Sequence, residues 1–320
     1  MKAILVREFG PPEVMKIEDV ETPRPMDTQV LVRIHAIGVN PVETYIRSGN
    51  YPSQPDLPYT PGKDAAGVVV AVGDSVSKFK IGDRVYTANS ISGTYAEYTL
   101  CDETQLASLP ENVSFEKGAG VFIPYATSYR ALFQKAKAAS GETVLIHGAS
   151  GGVGIAAVQW AKNAGLRVFG TASSDEGKTL VANQGADAVF DHSQDGYLDA
   201  IKDATAGRGV DVIIEMLANV NLQKDFDVLA MFGRITVVGN RGSLDFNPRV
   251  IMGKDASVFG MALYNAPQQD FDEIHVAIQD GLIKGYLNPI ISHTFPLSEA
   301  AMAHREVIES KSQGKIVLVT

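Results

Sequence analysis

The chain has 320 residues, of which 45% are hydrophobic and 20% charged, and its 28 basic and 37 acidic residues leave a net charge of −9. This length predicts two domains with separate cores, no apolar run approaches the roughly 18 residues of a membrane span, and the acidic balance disfavours nucleic acid as the default partner. A single cysteine, Cys101, excludes an intrachain disulfide and a cysteine-based structural zinc site.

The first third of the chain is predicted to be rich in β-strands. Residues 1–8 form a strand-like segment without the apolar core of an export signal, so we expect a cytoplasmic protein. Runs of alternating or β-branched residues such as 30–36 and 66–72 are bounded by Pro and Gly clusters, as in a domain of short strands and turns. Cys101 follows the strand-like segment 95–100, where a small, partly buried hydrophobe is expected rather than a nucleophile.

From about Thr143 the pattern changes to short apolar strands that alternate with helical stretches. This alternation is typical of βαβ units around a parallel sheet. The predicted strands, enough for a complete doubly wound sheet, are 143–147, 167–172, 188–191, 210–215, 234–239 and 257–261. A helix at about 270–281 and a strand at 314–319 follow, and this last strand is a candidate to rejoin the first domain.

A glycine-rich turn, residues 148–154, lies between the first of these strands and an Ala-rich helix predicted at 153–164. Backbone at Gly151 and Gly152 can approach a pyrophosphate closely, while the unpaired N–H groups of the helix N-terminus face its negative charge. Ala149 stands at the first glycine of the usual fingerprint, so the turn is a variant one. The turn predicts a dinucleotide site, and a turn of purely structural use is the alternative.

The choice of dinucleotide depends on the end of the second strand, where NAD enzymes carry an acid for the ribose hydroxyl. Here Ser173 and Ser174 replace the acid, and Lys178 and His192 could supply positive charge to a 2′-phosphate. The two acids after Ser174 are typical of a helix N-terminus. These residues favour NADPH.

Four long segments resemble the zeta-crystallin-type NADPH:quinone oxidoreductases, a branch of the medium-chain dehydrogenase/reductase superfamily. The segments are 39–49, 57–62, 91–98 and 213–221. The resemblance implies an α/β protein with a GroES-like β-rich catalytic domain and a Rossmann domain with a doubly wound parallel sheet. We expect residues 1–125 and 263–320 in the first and 126–262 in the second, with a cleft between them for nicotinamide and substrate.

The resemblance also implies positions for the cofactor contacts. These are Tyr45, Ser150, Gly151, Gly152, Val153, Ser173, Lys178, His192, Asn221, Val238, Gly239, Asn240, Arg241, Met261, Ala262 and Leu263. The family residue at Ser173 can be Gly, so a backbone contact is sufficient there. Tyr45 and Asn40 are the candidate catalytic residues, as hydrogen-bond partners of the substrate oxygen or the nicotinamide, and a structural hydrogen bond at a turn is the alternative for each.

Zinc members of this superfamily carry a Gly-His-Glu string that is here Gly62-Lys63-Asp64, and the cysteine ligand expected beside Asn40 is absent. The remaining histidines are scattered along the sequence, so we expect no metal. Without a Lewis acid, reduction of a quinone or a conjugated enone is easier than oxidation of an alcohol. We therefore expect NADPH-dependent quinone reduction by a homodimer or homotetramer, with pairing through the strand 257–261 as a plausible route. The alternatives are an alkenal or enone double-bond reductase, an AU-rich RNA-binding protein and a structural crystallin-type protein.

Overall fold

The computed structural model describes residues 1–309 and 313–320, which form two compact units. Unit 1 comprises Met1–Ile123 and Pro289–Thr320, and unit 2 comprises Pro124–Asn288. The first boundary lies close to the predicted residue 125, but the second lies well beyond the predicted residue 262. The helix that follows residue 262 belongs to unit 2 because its side chains bind that unit: Arg130 donates a hydrogen bond of 2.5 Å to Asp270, and Tyr129 donates one of 2.8 Å to Glu273.

The strands in chain order are β1 (Lys2–Val6), β2 (Met15–Asp19), β3 (Gln29–Val39), β4 (Asp64–Val72), β5 (Arg84–Thr87), β6 (Tyr98–Asp102), β7 (Leu106–Ser108), β8 (Thr143–Ile146), β9 (Arg167–Thr171), β10 (Ala188–Phe190), β11 (Val210–Glu215), β12 (Leu229–Val237), β13 (Ser257–Gly260), β14 (Ile291–Pro296) and β15 (Lys315–Val319). The α-helices are α1 (Pro41–Arg47), α2 (Phe115–Gly118), α3 (Phe122–Tyr129), α4 (Gly152–Asn163), α5 (Asp175–Asn183), α6 (Tyr197–Ala204), α7 (Ala218–Val228), α8 (Arg249–Lys254), α9 (Gln268–Lys284) and α10 (Ala300–Glu309). A π-helical segment, Arg130–Lys135, follows α3.

Unit 1 contains a sheet with the strand order β14-β15-β3-β4-β5-β7, in which β6 also pairs with β3. β15 lies inside this sheet, parallel to β14 and antiparallel to β3. The prediction that the segment 314–319 rejoins the first domain is therefore confirmed. Alternate residues of β3 and β15, such as Ile37, Ile316 and Leu318, face one core cluster and are at most 1% exposed.

Unit 2 contains a parallel sheet with the strand order β10-β9-β8-β11-β12-β13. Each of its strands overlaps one of the predicted ones, although β12 begins at Leu229 rather than 234, because Leu229 pairs with Val210 ahead of a register shift in β11. The order runs in opposite directions on the two sides of β8, so the doubly wound arrangement is confirmed. Ligands of such sheets bind outside the carboxyl ends of the strands at this switch point.

Two further expectations concern the environment of Cys101 and the presence of membrane-spanning helices. Cys101 is fully buried in β6, and burial raises the pKa of its thiol to about 12, so it remains a protonated apolar side chain, as predicted. In the residues that the structure describes, no helix combines the length and the apolar character needed to cross a membrane.

Candidate dinucleotide site and active site

The glycine-rich turn connects β8 to α4 at the switch point of the unit 2 sheet. Gly148 has a φ of +57°, which favours glycine, and its N–H donates a hydrogen bond of 3.1 Å to Thr171 Oγ1. The N–H of Ala149 donates to the carbonyl oxygen of Thr171 at 2.9 Å. Ala149 is accommodated because it faces Gly170, where a Cβ would lie only 2.9 Å from that of Ala149. The variant fingerprint is therefore matched by a glycine on the neighbouring strand.

The N-terminus of α4 follows this turn directly. Gly151 is the N-cap residue and, as a glycine, has no side chain to accept hydrogen bonds from the first N–H groups of the helix. A Cβ on Gly154 would lie 2.3 Å from the carbonyl oxygen of Gly148, so the turn itself requires glycine there. A Cβ on Gly151 would find its nearest protein atom at 3.5 Å, an ordinary contact. Packing within the protein does not demand Gly151, and this is the pattern expected where a ligand must approach the backbone.

The segment after β9 holds the residues predicted to select NADPH. Ser174 is the N-cap of α5 and accepts a hydrogen bond of 3.1 Å from the N–H of Gly177, so the predicted helix N-terminus is confirmed. Lys178 pairs with Asp175 at 2.9 Å and with Asp191 at 3.2 Å. Hydrogen bonds to these two carboxylates raise the pKa of Lys178. A 2′-phosphate would therefore compete with two acids for this ammonium group.

The remaining predicted contacts in unit 2 follow the other strands of the same sheet. They are His192 after β10, Asn221 in α7 after β11, Val238, Gly239, Asn240 and Arg241 after β12, and Met261, Ala262 and Leu263 after β13. Because parallel strands end at one edge, the fold brings all of these positions to the edge that carries the glycine-rich turn. Gly239 is required there, since a Cβ would lie 2.2 Å from the carbonyl oxygen of Met216. Arg241 and His192 are exposed.

Sequence reasoning missed a buried cluster at this edge, formed by His147, Glu215 and Asp225. Their ligand-type atoms all lie within 4.8 Å of one another, and each residue is at most 3% exposed. The His147 Nε2 lies 2.9 Å from Asp225 Oδ1 and 3.6 Å from Glu215 Oε2. Burial raises the pKa of Glu215 to about 7. Burial would lower the pKa of His147, but the hydrogen bond and charge of Asp225, together with the charge of Glu215, outweigh that effect and raise it.

In unit 1, Asn40 lies in a buried polar network between β3 and α1. Its amide nitrogen donates to Asp64 Oδ2 at 3.1 Å and to Glu43 Oε1 at 3.3 Å, while its carbonyl oxygen accepts a hydrogen bond from Lys315 Nζ. Asn40 is 3% exposed. Both polar atoms of its side chain therefore have partners within unit 1, which favours the structural alternative that the sequence left open.

Tyr45 lies in the middle of α1 and is half-buried. Its carbonyl oxygen accepts hydrogen bonds from Ser48 Oγ at 3.1 Å and from the N–H of Asn50 at 2.9 Å. These contacts use the backbone of Tyr45 and leave open the role of its hydroxyl group. The role predicted for Tyr45 stays a prediction.

The Asn40 network extends from Glu43 to the helix α10. The Tyr95 hydroxyl donates to Glu43 Oε2 at 2.8 Å and lies 3.0 Å from His304 Nε2. Burial raises the pKa of Glu43, and burial lowers the pKa of His304 to about 3, so the His304 ring is neutral around neutral pH. A fully buried chain of hydrogen bonds of this kind stabilises the packing of α1 against α10.

Asp64 stands where zinc members of the superfamily carry a glutamate, so its surroundings test whether a metal fits. Lys315 Nζ lies 3.2 Å from Asp64 Oδ2, and the same oxygen accepts the Asn40 amide. An ammonium group thus supplies the positive charge at this carboxylate, and a zinc ion does not fit beside it. Within residues 1–309 and 313–320, the His147 cluster of unit 2 is the group of three side chains with metal-ligand spacing.

Comparisons with known proteins cover the whole chain. Residues 26–111 match the alcohol dehydrogenase GroES-like domain, and residues 152–279 match the zinc-binding dehydrogenase family. A quinone oxidoreductase from Homo sapiens is 50% identical over 100% of this chain and 98% of its own length. The Escherichia coli quinone oxidoreductase in complex with NADPH has a TM-score of 0.92 at 29% identity, and an NAD-dependent alcohol dehydrogenase has a TM-score of 0.93 at 27% identity, each with 100% of both chains covered.

Proposed function

Because the chain belongs to the zeta-crystallin-type quinone oxidoreductases of the medium-chain dehydrogenase/reductase superfamily, we propose that it catalyses the reduction of quinones by NADPH. The observation that carries the proposal is the N-terminus of α4. It lies at the switch point of a doubly wound sheet, in a turn where Gly154 is sterically required, and its N-cap residue Gly151 has no side chain to cap the helix. This arrangement is suited to a pyrophosphate.

Bound NADPH supplies a hydride from C4 of its nicotinamide ring. The protein's own contribution is binding and orientation. The N–H groups at the start of α4 would hold the pyrophosphate, and the edge formed after β11, β12 and β13 would support the rest of the dinucleotide. Tyr45 is proposed as the hydrogen-bond donor to the quinone oxygen or the nicotinamide, with Asn40 as a residue that positions α1. A quinone delocalises the incoming negative charge itself, so solvent suffices as the proton source.

The preference for NADPH is proposed from the end of β9. Ser173 and Ser174 stand where NAD enzymes carry an acid, and Lys178 offers a positive charge once one of its two carboxylate partners is exchanged for the 2′-phosphate. The NADPH complex of the E. coli relative supports this choice, whereas the NAD-dependent neighbour makes the comparison with NADH essential. Measured KM values for NADPH and NADH test the preference, and equal values for the two cofactors would contradict the proposal.

Steady-state NADPH oxidation with simple ortho- and para-quinones tests the function. The same assay with α,β-unsaturated ketones and aldehydes separates quinone reduction from the enone double-bond reductase alternative. A rate above the uncatalysed one with quinones, and little with enones, is expected. If neither acceptor class accelerates NADPH oxidation, the proposed function is wrong, and salt-dependent binding to AU-rich RNA becomes the property to measure.

We also propose that catalysis needs no metal, because Lys315 already provides the cation beside Asp64. Dialysis of the enzyme against a strong chelator should leave the quinone reductase rate unchanged. A loss that added zinc restores would contradict this reading.

The predicted assembly and location remain proposals. β13 is an edge strand of the unit 2 sheet, and an exposed edge is a ready site for pairing with a second copy. We propose a homodimer or homotetramer that uses this edge in the cytoplasm. Light scattering after size-exclusion chromatography measures the mass, and a monomer at micromolar concentration would contradict the proposal.

A further inference from the structure

The buried cluster of His147, Glu215 and Asp225 is hydrogen-bonded to two parts of the candidate dinucleotide site. The His147 Nδ1 lies 3.5 Å from Thr171 Oγ1, which in turn accepts the N–H of Gly148 in the glycine-rich turn. Glu215 Oε1 accepts hydrogen bonds from the Leu217 N–H and, at 3.2 Å, from the side-chain amide of Asn221. One cluster therefore reaches both the turn and a predicted cofactor contact that follows a different strand.

The two carboxyl groups of the cluster lack enough donors to satisfy all of their oxygens. Glu215 Oε2 and Asp225 Oδ2 are both buried, and neither accepts a hydrogen bond from an N–H or O–H group of the described residues. Two buried carboxylates with unsatisfied oxygens are costly beside one imidazole ring. A proton shared by the two carboxyl groups removes that cost, because it supplies the missing donor and cancels one negative charge.

The surroundings contribute few other charges. Thr171 faces the cluster from β9 and is neutral. Tyr197 faces it from α6, and burial, together with the negative charges of Asp225 and Glu215, raises the pKa of its hydroxyl, so Tyr197 is also neutral in the physiological range. The charge of the cluster is therefore set by His147 from β8, Glu215 from β11 and Asp225 from α7.

We propose that the His147, Glu215 and Asp225 side chains are positioning residues for the dinucleotide, and that the proton held by the two carboxyl groups controls the affinity for this anionic ligand. The proposal rests on the proposed function to the extent that the ligand is a nicotinamide dinucleotide. It assigns Thr171 and Asn221 as the links between the cluster and the site. It adds no metal and no chemical step.

The sign of the effect follows from charge. Burial raises the pKa of Glu215 to about 7, so the proton is lost as the pH rises through neutrality. Its loss leaves a negative charge next to a site that binds a polyanion, and NADPH then binds more weakly. We expect this added charge to weaken NADPH binding roughly three- to tenfold between about pH 6 and about pH 8.5.

The dissociation constant of NADPH, measured by the change in nucleotide fluorescence across this pH range, tests the proposal in the wild-type protein and in Glu215→Gln. Glutamine keeps an Oε1 acceptor for Leu217 and Asn221, and its amide replaces the shared proton as a donor to Asp225. Glu215→Gln should therefore lack the fall in affinity that deprotonation of the cluster causes, and it should bind NADPH roughly three- to tenfold more tightly than the wild type near pH 8.5. A merely structural glutamate predicts no such gain.

Asp227→Asn is the matched control, because Asp227 lies two positions further along α7 and is exposed. It removes one negative charge from the same helix and should retain the wild-type pH dependence. Ionisation of the 2′-phosphate of NADPH is common to all variants and cancels in the comparison. Asp225→Asn also removes a negative charge from the cluster, so it should reduce the pH dependence of NADPH affinity as Glu215→Gln does. It replaces Glu215→Gln in the test if Glu215→Gln fails to fold.

The outcomes separate the two proposals. If the wild type does not bind NADPH at any pH, the proposed function fails. If the wild type binds and Glu215→Gln or Asp225→Asn shows the same pH dependence as Asp227→Asn, the inference drawn from the cluster fails. One equivalent of a divalent metal in the purified protein, lost together with His147→Gln, would also overturn it, because a metal would then occupy the place of the proton.

Discussion

Replacing Lys315 by methionine should destabilise unit 1 strongly. Methionine has a similar length and no charge, so Lys315→Met leaves the Asp64 carboxylate without its cation, 3.2 Å away, and removes the donor to the Asn40 carbonyl. Asp64 is 1% exposed and Lys315 5%, so water cannot replace the lost partner. Breaking a buried pair in this way costs about 3–5 kcal/mol, which corresponds to a fall in melting temperature of roughly 6–20 °C for a unit of this size.

The pH dependence of the stability lost in Lys315→Met shows whether the unpaired charge of Asp64 causes that loss. Burial raises the pKa of Asp64, and the Lys315 charge opposes that rise. When the folded-state pKa of a carboxyl group lies above its unfolded value, stability falls as the pH rises through the folded pKa. The destabilisation of Lys315→Met should therefore be larger at pH 8 than at pH 5, and Lys315→Met combined with Asp64→Asn should recover part of it.

Hydrogen exchange of peptides from β3, β4 and β15, followed by mass spectrometry, measures the effect in unit 1 itself. Lys2→Met is the matched control, because Lys2 forms an ion pair of 2.9 Å with Asp19 in which both side chains are more than half exposed. Such a pair contributes about 0–1 kcal/mol. If Lys315→Met costs no more than Lys2→Met, or if its cost is independent of pH, Asp64 does not carry a buried charge that Lys315 stabilises.

Three further predictions concern unit 2 and the thiol. Gly154→Ala should lower NADPH affinity at least about tenfold and reduce the melting temperature, because its Cβ would lie 2.3 Å from the Gly148 carbonyl oxygen. Gly151→Ala should lower NADPH affinity and leave the melting temperature unchanged. Equal melting temperatures for the two variants would show that Gly154 is not sterically required. Lys178→Ala should raise the KM for NADPH roughly tenfold and leave the KM for NADH nearly constant; a parallel change in both would show that Lys178 does not bind the 2′-phosphate. Cys101, whose thiol has its pKa raised to about 12 by burial, should react with iodoacetamide at pH 8 only after unfolding; labelling of the folded protein would refute its burial.

The fold was largely predictable because its signals are local. The alternation of apolar strands and helices between residues 143 and 261 can be recognised from residues that are close together in the sequence. Parallel strands joined by helices then allow few topologies. The glycine-rich turn was equally readable, since Gly154 and Gly148 belong to one short segment. The domain boundary after residue 262 was less predictable, because α9 belongs to unit 2 through contacts of Asp270 and Glu273 with residues about 140 positions earlier.

The buried polar networks could not be predicted, because they also join residues that are far apart in the sequence. Lys315 meets Asn40 and Asp64 only because β15 enters the sheet beside β3, 275 positions away from Asn40 in the sequence. In the sequence His147 is one of several scattered histidines, although in the fold Asp225 lies only 2.9 Å from its ring across 78 positions of sequence. A histidine at the end of a buried strand, directly before the glycine-rich turn, was the available signal. Its carboxylate partners lie on another strand and a helix.

The place of β15 inside the sheet of unit 1 also determines when each unit can form during synthesis. The residues of unit 2, Pro124–Asn288, are contiguous, whereas β3 and β14 obtain their common neighbour only when Lys315–Val319 have been made. Domains fold as units in the order in which the ribosome releases them. Unit 2 is thus complete on the nascent chain while the sheet of unit 1 still lacks β15. A ribosome that stalls after the synthesis of unit 2 and before the synthesis of β15 exposes the unpaired edge of β3 to chaperones.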